Sequence, residues 1–262
     1  MTTTTIITSP ASSTRFSWEA GPMHLIPSPL ARTGATDDFT VTATEMAMVH
    51  NCIIRAFNSI YIQAPHIPTR DQKSFIAYMM AAYQGLEAHH DGEETFFFPE
   101  IEKATGETGL MAANIQQHAA FHSGFHTWGA WLEALQRGAT PYSGNACREL
   151  MDAFMDPLSV HLADEIPSLL ALAKYGDALP LRALSQAEGE KVMGALSKTA
   201  QLPLFWANHD TSFEGGIHHF PPVPAPVAWV LREVFGRWNA DWWKFGTVGF
   251  DGMPRELLYA GK

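Results

Sequence analysis

Apolar residues recur at three- and four-residue steps along four long stretches of the chain. From about Thr42 to Tyr61 they fall at Met46, Val49, Ile53, Ile54, Phe57 and Ile60, the period of one face of a helix. Pro65 and Pro68 close that stretch. A second opens near Asp71, a capping residue type, and carries Phe75, Tyr78, Met79, Ala82 and Leu86 toward Pro99. Gly106 and Gly109 then interrupt the pattern, and a third stretch covers about Leu110 to Leu135 before Gly138 and Pro141. The fourth starts after Ser143-Gly144-Asn145 and passes Leu150, Phe154, Leu158, Leu162 and Leu169 to Tyr175-Gly176. Pro157 and Pro167 lie inside it, which predicts a kink or a break. No strand-like alternation of any length is present. Four such helices with short connections predict an all-α, antiparallel four-helix bundle over residues 41–176.

The flanks read differently. Residues 1–40 are rich in Thr, Ser and Pro, with no basic start followed by an apolar core. This is neither a secretory leader nor an Arg-rich presequence, and predicts a flexible segment, docked through Phe16, Trp18 and Leu25. Residues 177–262 hold Trp206, Trp229, Trp238, Trp242 and Trp243 and the run P-P-V-P-A-P at 221–226. So much aromatic surface predicts an extension packing on the bundle, not a second independent domain.

Composition narrows the partners. A formal charge of -10 without a Lys/Arg cluster argues against nucleic acid and against an anionic membrane surface. No apolar run is long enough for a membrane span. Cys52 and Cys147 stand far apart and outside any C-x-x-C pattern, which suits reduced thiols and a cytoplasmic protein.

The histidines change the picture most. Residues four apart on a helix share a face. His89 and Glu93 have that spacing on the second helix, His118 and His122 on the third, and His161 and Glu165 on the fourth. The first helix offers His50 in the apolar context M-V-H-N-C-I-I-R. Such groups are costly in a bundle core unless paired, and a metal takes up their lone pairs. Five imidazoles and two carboxylates are too many donors for one tetrahedral ion. They suit two ions bridged by carboxylates, and a nitrogen and oxygen set without thiolate favours iron or manganese over a structural zinc. Phe96, Phe97 and Phe98 would then wall the site. The register is open by one residue, since His90 and Glu94 have the same spacing as His89 and Glu93.

The stretch L-E-A-H-H-D-G-E-E-T-F-F-F-P at 86–99 resembles the second-helix motif of the hemerythrin-like, or HHE cation-binding, family. The resemblance implies His89 and Glu93 as iron ligands. Q-Q-H-A-A-F-H resembles the third-helix motif and implies His118 and His122, H-L-A-D-E-I the fourth, implying His161 and Glu165, and H-N-C-I-I-R the first, implying His50. The match covers about residues 42–175, and the overall style resembles fungal members of uncharacterised role. Oxygen-carrying members place an Asp five residues after the fourth-helix His. Here that position is Ile166, with Glu165 the available carboxylate, which implies sensing, iron handling or repair more than reversible oxygen carriage.

Two functional readings follow. One is an oxidase or oxygenase with two irons, or a manganese–iron pair, that reacts with O2 and oxidises a small, mostly apolar molecule, drawing on an electron donor. Its argument is the extension, whose aromatic surface exceeds what a gas needs and suits an organic pocket. The other is a non-enzymatic protein that binds or senses O2 or NO, or handles iron. Catalytic acid and base residues are not identified by the sequence. His126, His209, His218 and His219 have no assigned role.

Overall fold

The computed structural model describes residues 16–221, 223 and 225–261. The first fifteen residues of the expected flexible segment lie outside the described residues. Among the described residues no strand forms, and one isolated bridge joins Val248 and Pro254.

The helices in chain order are α1 (Pro29–Thr33), α2 (Asp38–Gln63), α3 (Gln72–Gly92), α4 (Phe98–Thr105), α5 (Ala112–Gln136), α6 (Gly144–Asp152), α7 (Met155–Ala171), α8 (Leu181–Ala195), α9 (Gln201–Trp206), α10 (Ala225–Val230), α11 (Gly236–Trp238) and α12 (Ala240–Trp243). The bundle is closed by α2 on α3 and α7, and by α5 on α3 and α7. Local chemistry sets the ends. The Asp37 carboxylate accepts from Phe39 N–H at 3.1 Å and Thr40 N–H at 3.0 Å, starting α2. The Ser143 hydroxyl caps α6 by accepting from Ala146 N–H.

The second helix does not stop at Pro99. A single π turn, Glu93–Phe97, links α3 to α4, so the rod continues to Thr105. Phe98 N–H reaches Glu93 C=O across that turn, and Pro99 falls in the first turn of α4, where a missing donor costs little. The fourth rod is broken at Ala153 and Phe154, just before Pro157. Pro167, by contrast, sits inside α7 on its exposed face, and the helix continues through it to Ala171.

Interior packing is aromatic. Phe57 meets Phe125, Trp128 and Phe154, and Tyr83 stacks on Phe125 at 4.6 Å between centroids. The segment after the bundle lies against it. α8 packs on α2, α3, α4 and the π turn, and α9 on α2 and α3. Phe245 and Trp243 are buried against Tyr78. Arg55 of α2 is buried with Asp210 at 3.7 Å, under Trp18 on one side and Phe213 on the other. Not all the aromatic surface is covered, since Trp229 and Trp238 are 57% and 73% exposed.

Candidate metal centre

Each rod of the bundle sends donors to one buried place. His50 comes from α2, His89 and His90 from α3, Glu93 from the π turn, His118 from α5, and His161 and Glu165 from α7. All seven are buried, with Glu93, His161, Glu165 and His50 at 0% exposure. Two donor groups emerge, each with its ligand atoms within 4.8 Å of one another: His50, His89 and Glu93, and His90, Glu93, His118 and His161. Glu93 belongs to both. Glu165 stands beside the first, its Oε2 3.3 Å from His50 Nε2.

Six of the seven sequence-predicted donors, His50, His89, Glu93, His118, His161 and Glu165, are therefore brought together. His122 is not. It is exposed, and its Nε2 lies 2.7 Å from His126 Nε2. Helix geometry gives the reason. The buried positions of α5 run Asn114, His118, Phe121, Phe125, Trp128 and Leu132. At about 100° per residue their mean direction lies roughly 40° to one side of His118, and His122 lies roughly 40° to the other. The inward residue after His118 is thus Phe121.

His90 instead joins His118 and His161. It lies 4.4 Å from His118 and 5.1 Å from His161 between ring centroids. The two registers, His89 and His90, are not alternatives. Glu93 is four residues from one and three from the other, so it projects about 40° from His89 and about 60° from His90, between them. The signal in the sequence was H-H-x-x-E, a carboxylate placed to serve two adjacent imidazoles at once.

Neighbours fix the rings. His50 Nδ1 donates to the Leu162 carbonyl at 2.8 Å, and His118 Nδ1 to Glu94 Oε1 at 2.7 Å. His161 Nδ1 faces Gln117 Oε1 at 3.4 Å. With the proton on Nδ1, each Nε2 carries a bare lone pair into the centre, the arrangement metal-ligating imidazoles use. The lone pairs meet one another: His50 Nε2 is 3.2 Å from His89 Nε2, and His118 Nε2 is 3.0 Å from His161 Nε2. His89 Nε2 is 3.2 Å from Glu93 Oε1, and His118 Nε2 is 3.5 Å from Glu93 Oε2.

Four carboxylate oxygens, both of Glu93 and both of Glu165, and His90 Nε2 are buried without a hydrogen-bond partner. Such atoms cost free energy unless something satisfies them. Protons do so poorly. Burial pushes the pKa of His89, His90, His118 and His161 down, helped for His89, His90 and His161 by the neighbouring imidazoles. Burial also pushes the Glu93 carboxyl well above its ordinary range, with Glu165, Glu188 and Glu94 adding to it. Neutral imidazoles and converging carboxylates are donors that metal cations take up, so the residues present fit metal cations.

The wall is apolar, though not as expected. Phe97 and Phe98 are fully buried, and Phe121 packs 5.1 Å from His90 and 5.7 Å from His161. Phe96 instead turns half-outward beneath Lys191 of α8.

Residues 41–173 match the hemerythrin HHE cation-binding domain, and the chain belongs to that family. It is also similar to the dimeric xanthone biosynthesis cluster protein R11 of Cryptosporiopsis sp. (strain 8999), with 35% identity over 218 residues, covering 83% of this chain and 82% of that protein. No solved structure matches the chain. The family binds metal cations, and the His/Glu cluster is where this member has the donors to do so. Among the described residues, no helix is long and apolar enough to cross a membrane.

Proposed function

We propose that this protein is a non-heme diiron protein that reacts with O2, acting as an oxidase or oxygenase on a small, mostly apolar organic molecule. The observation that carries the reading is the pair of donor groups joined through Glu93, with buried lone pairs directed at one another. His50, His89 and Glu165 would hold one iron, and His90, His118 and His161 the other, with Glu93 shared. A bound pair of irons would supply electrons to dioxygen. The chain supplies the rest. Leu162 C=O, Glu94 and Gln117 orient the imidazoles, Glu93 and Glu165 offset positive charge, and Phe97, Phe98 and Phe121 keep water away.

The choice of an organic substrate draws support from two further facts. The Cryptosporiopsis relative is named for the biosynthesis of dimeric xanthones, which are aromatic compounds. A groove of about 650 Å3 also lies on the outer face of α7, lined by none of the seven buried donors. Its walls come from His24 to Thr33 and from α7, are largely apolar, and carry His24, Arg32, Thr33, Ser159 and Asp164 as polar points. The extension does not line it. The second reading, a non-enzymatic protein binding or sensing O2 or NO or handling iron, draws on the buried phenylalanines around the centre, which suit a diatomic.

Anaerobic loading with Fe(II), followed by exposure to air with and without a xanthone, separates the two. Irreversible oxidation that is faster with the xanthone supports the enzyme. An oxygenated form that reverses under vacuum, unaffected by the xanthone, overturns it.

A further inference from the structure

The donors described so far all come from the matched domain, 41–173. One more carboxylate reaches toward them from outside it. Glu188 lies on α8, on the same stripe as Leu181, Leu184 and Val192, and is 8% exposed. A glutamate so placed breaks an otherwise apolar face, and among the described residues its carboxylate has no hydrogen-bond partner. It rests on Gly92, the residue before Glu93. A Cβ at position 92 would lie 2.6 Å from Glu188 Oε1, so glycine there is what lets the carboxylate approach the π turn. Burial and the nearby Glu165 push its pKa up while Lys191 of the same helix draws it down, and its own charge adds to the rise at Glu93. It stays outside the two groups of converging ligand atoms.

Charge balance gives this placement a purpose. Two dications bring four positive charges into a buried site where Glu93 and Glu165 supply two negative ones. The imidazoles are neutral and supply none. In a medium of low dielectric the excess is costly, and a further anion within Coulombic reach reduces it. Without metal, three buried carboxylates repel one another. With metal, each becomes favourable.

We propose that Glu188 is a positioning and charge-balancing carboxylate of the metal centre, supplied by the C-terminal extension, which raises the affinity of the bundle for its cations without ligating them. The proposal rests on the reading of the buried cluster as a two-metal site. It also gives the extension a role in the centre, because α8 carries a third buried carboxylate.

The test compares full-length wild type, Glu188→Gln and, as control, Glu190→Gln, an exposed glutamate on the same helix. Fe(II) affinity is measured anaerobically by competition with a coloured chelator at neutral pH, and thermal stability is measured without metal. The expected result is opposite signs: Glu188→Gln weakens Fe(II) binding at least tenfold while raising the metal-free melting temperature, and Glu190→Gln changes neither. A merely structural Glu188 would lower both. Wild-type Fe(II) affinity in Glu188→Gln, or a fall in both quantities, overturns the proposal. Should that variant fail to fold, Glu188→Asp carries the test, since it withdraws the charge by one methylene. Weaker Fe(II) binding supports the proposal and unchanged binding overturns it. Wild type that takes up no Fe(II) overturns the two-metal reading and this proposal with it, whereas two irons in wild type and in Glu188→Gln at equal affinity overturn this proposal alone.

Discussion

Replacing Glu93 by Gln should change stability in opposite directions with and without metal. Glu93 is fully buried, and neither oxygen has a hydrogen-bond partner. In the metal-free protein burial, with Glu165, Glu188 and Glu94 nearby, pushes its carboxyl pKa well above 4.5, which disfavours the charged form. The sign follows from proton binding. The folded state keeps a proton that the unfolded state has lost, so this contribution favours folding below about 4.5 and is lost as pH rises. Glutamine has nearly the shape of the protonated acid and does not titrate. Metal-free Glu93→Gln should therefore gain about 1–3 kcal/mol at neutral pH, with the gain vanishing below about pH 4.5. The loaded protein should respond the other way. Each cation at a hundred times its dissociation constant adds about 2.7 kcal/mol, and loss of the shared ligand weakens both sites. Urea unfolding of both proteins, with chelator and with anaerobic Fe(II), measures the two differences. A variant destabilised equally in both conditions would refute the reasoning, because Glu93 would then be an ordinary packing residue.

Other consequences are as direct. His90→Ala should reduce bound iron from two to about one per chain, whereas His122→Ala should leave the metal count unchanged, as elemental analysis would read. The metal-free protein should lose stability as pH falls below about 6.5: the unfolded chain takes up protons that His89, His90, His118 and His161, with lowered folded values, refuse. His209, lowered to about 4, adds to this; Glu45, Glu93 and Glu188, the last raised to about 7, oppose it over part of the range, but five histidines outnumber three carboxyls. Chemical denaturation across pH checks the slope. Gly129→Ala should destabilise the bundle by about 1–3 kcal/mol, since its Cβ would fall 2.4 Å from the Tyr83 ring, and a thermal melt would show it.

The apolar stripes of four segments were enough to read the bundle, and single-face spacing singled out His89, Glu93, His161 and Glu165, all of which are buried. The third helix misled because a shared face is not a shared direction. His122 is close to His118 in angle, yet the core lies on the other side, where Phe121, Phe125 and Trp128 mark it. Counting the heavier side chains of that helix first would have turned the face correctly. A register left open by one residue treats the adjacent His89 and His90 as rivals, when the carboxylate between them can serve both. The π turn at Glu93–Phe97 left no sequence mark beyond Pro99. Glu188 was legible only as a misfit, a charged residue in the stripe of Leu181, Leu184 and Val192. What it faces is fixed by tertiary packing of α8 on the π turn, which local pattern does not encode.

The central claim is that donors from α2, α3, the π turn, α5 and α7 hold two cations around Glu93. Anomalous diffraction at the iron edge, on crystals of protein loaded anaerobically with Fe(II), tests it most directly. Two peaks are expected, one beside His50 and His89, the other among His90, His118 and His161, with the Glu93 carboxylate between them. A single peak on the surface pair His122 and His126, or no peak inside the bundle, would contradict it.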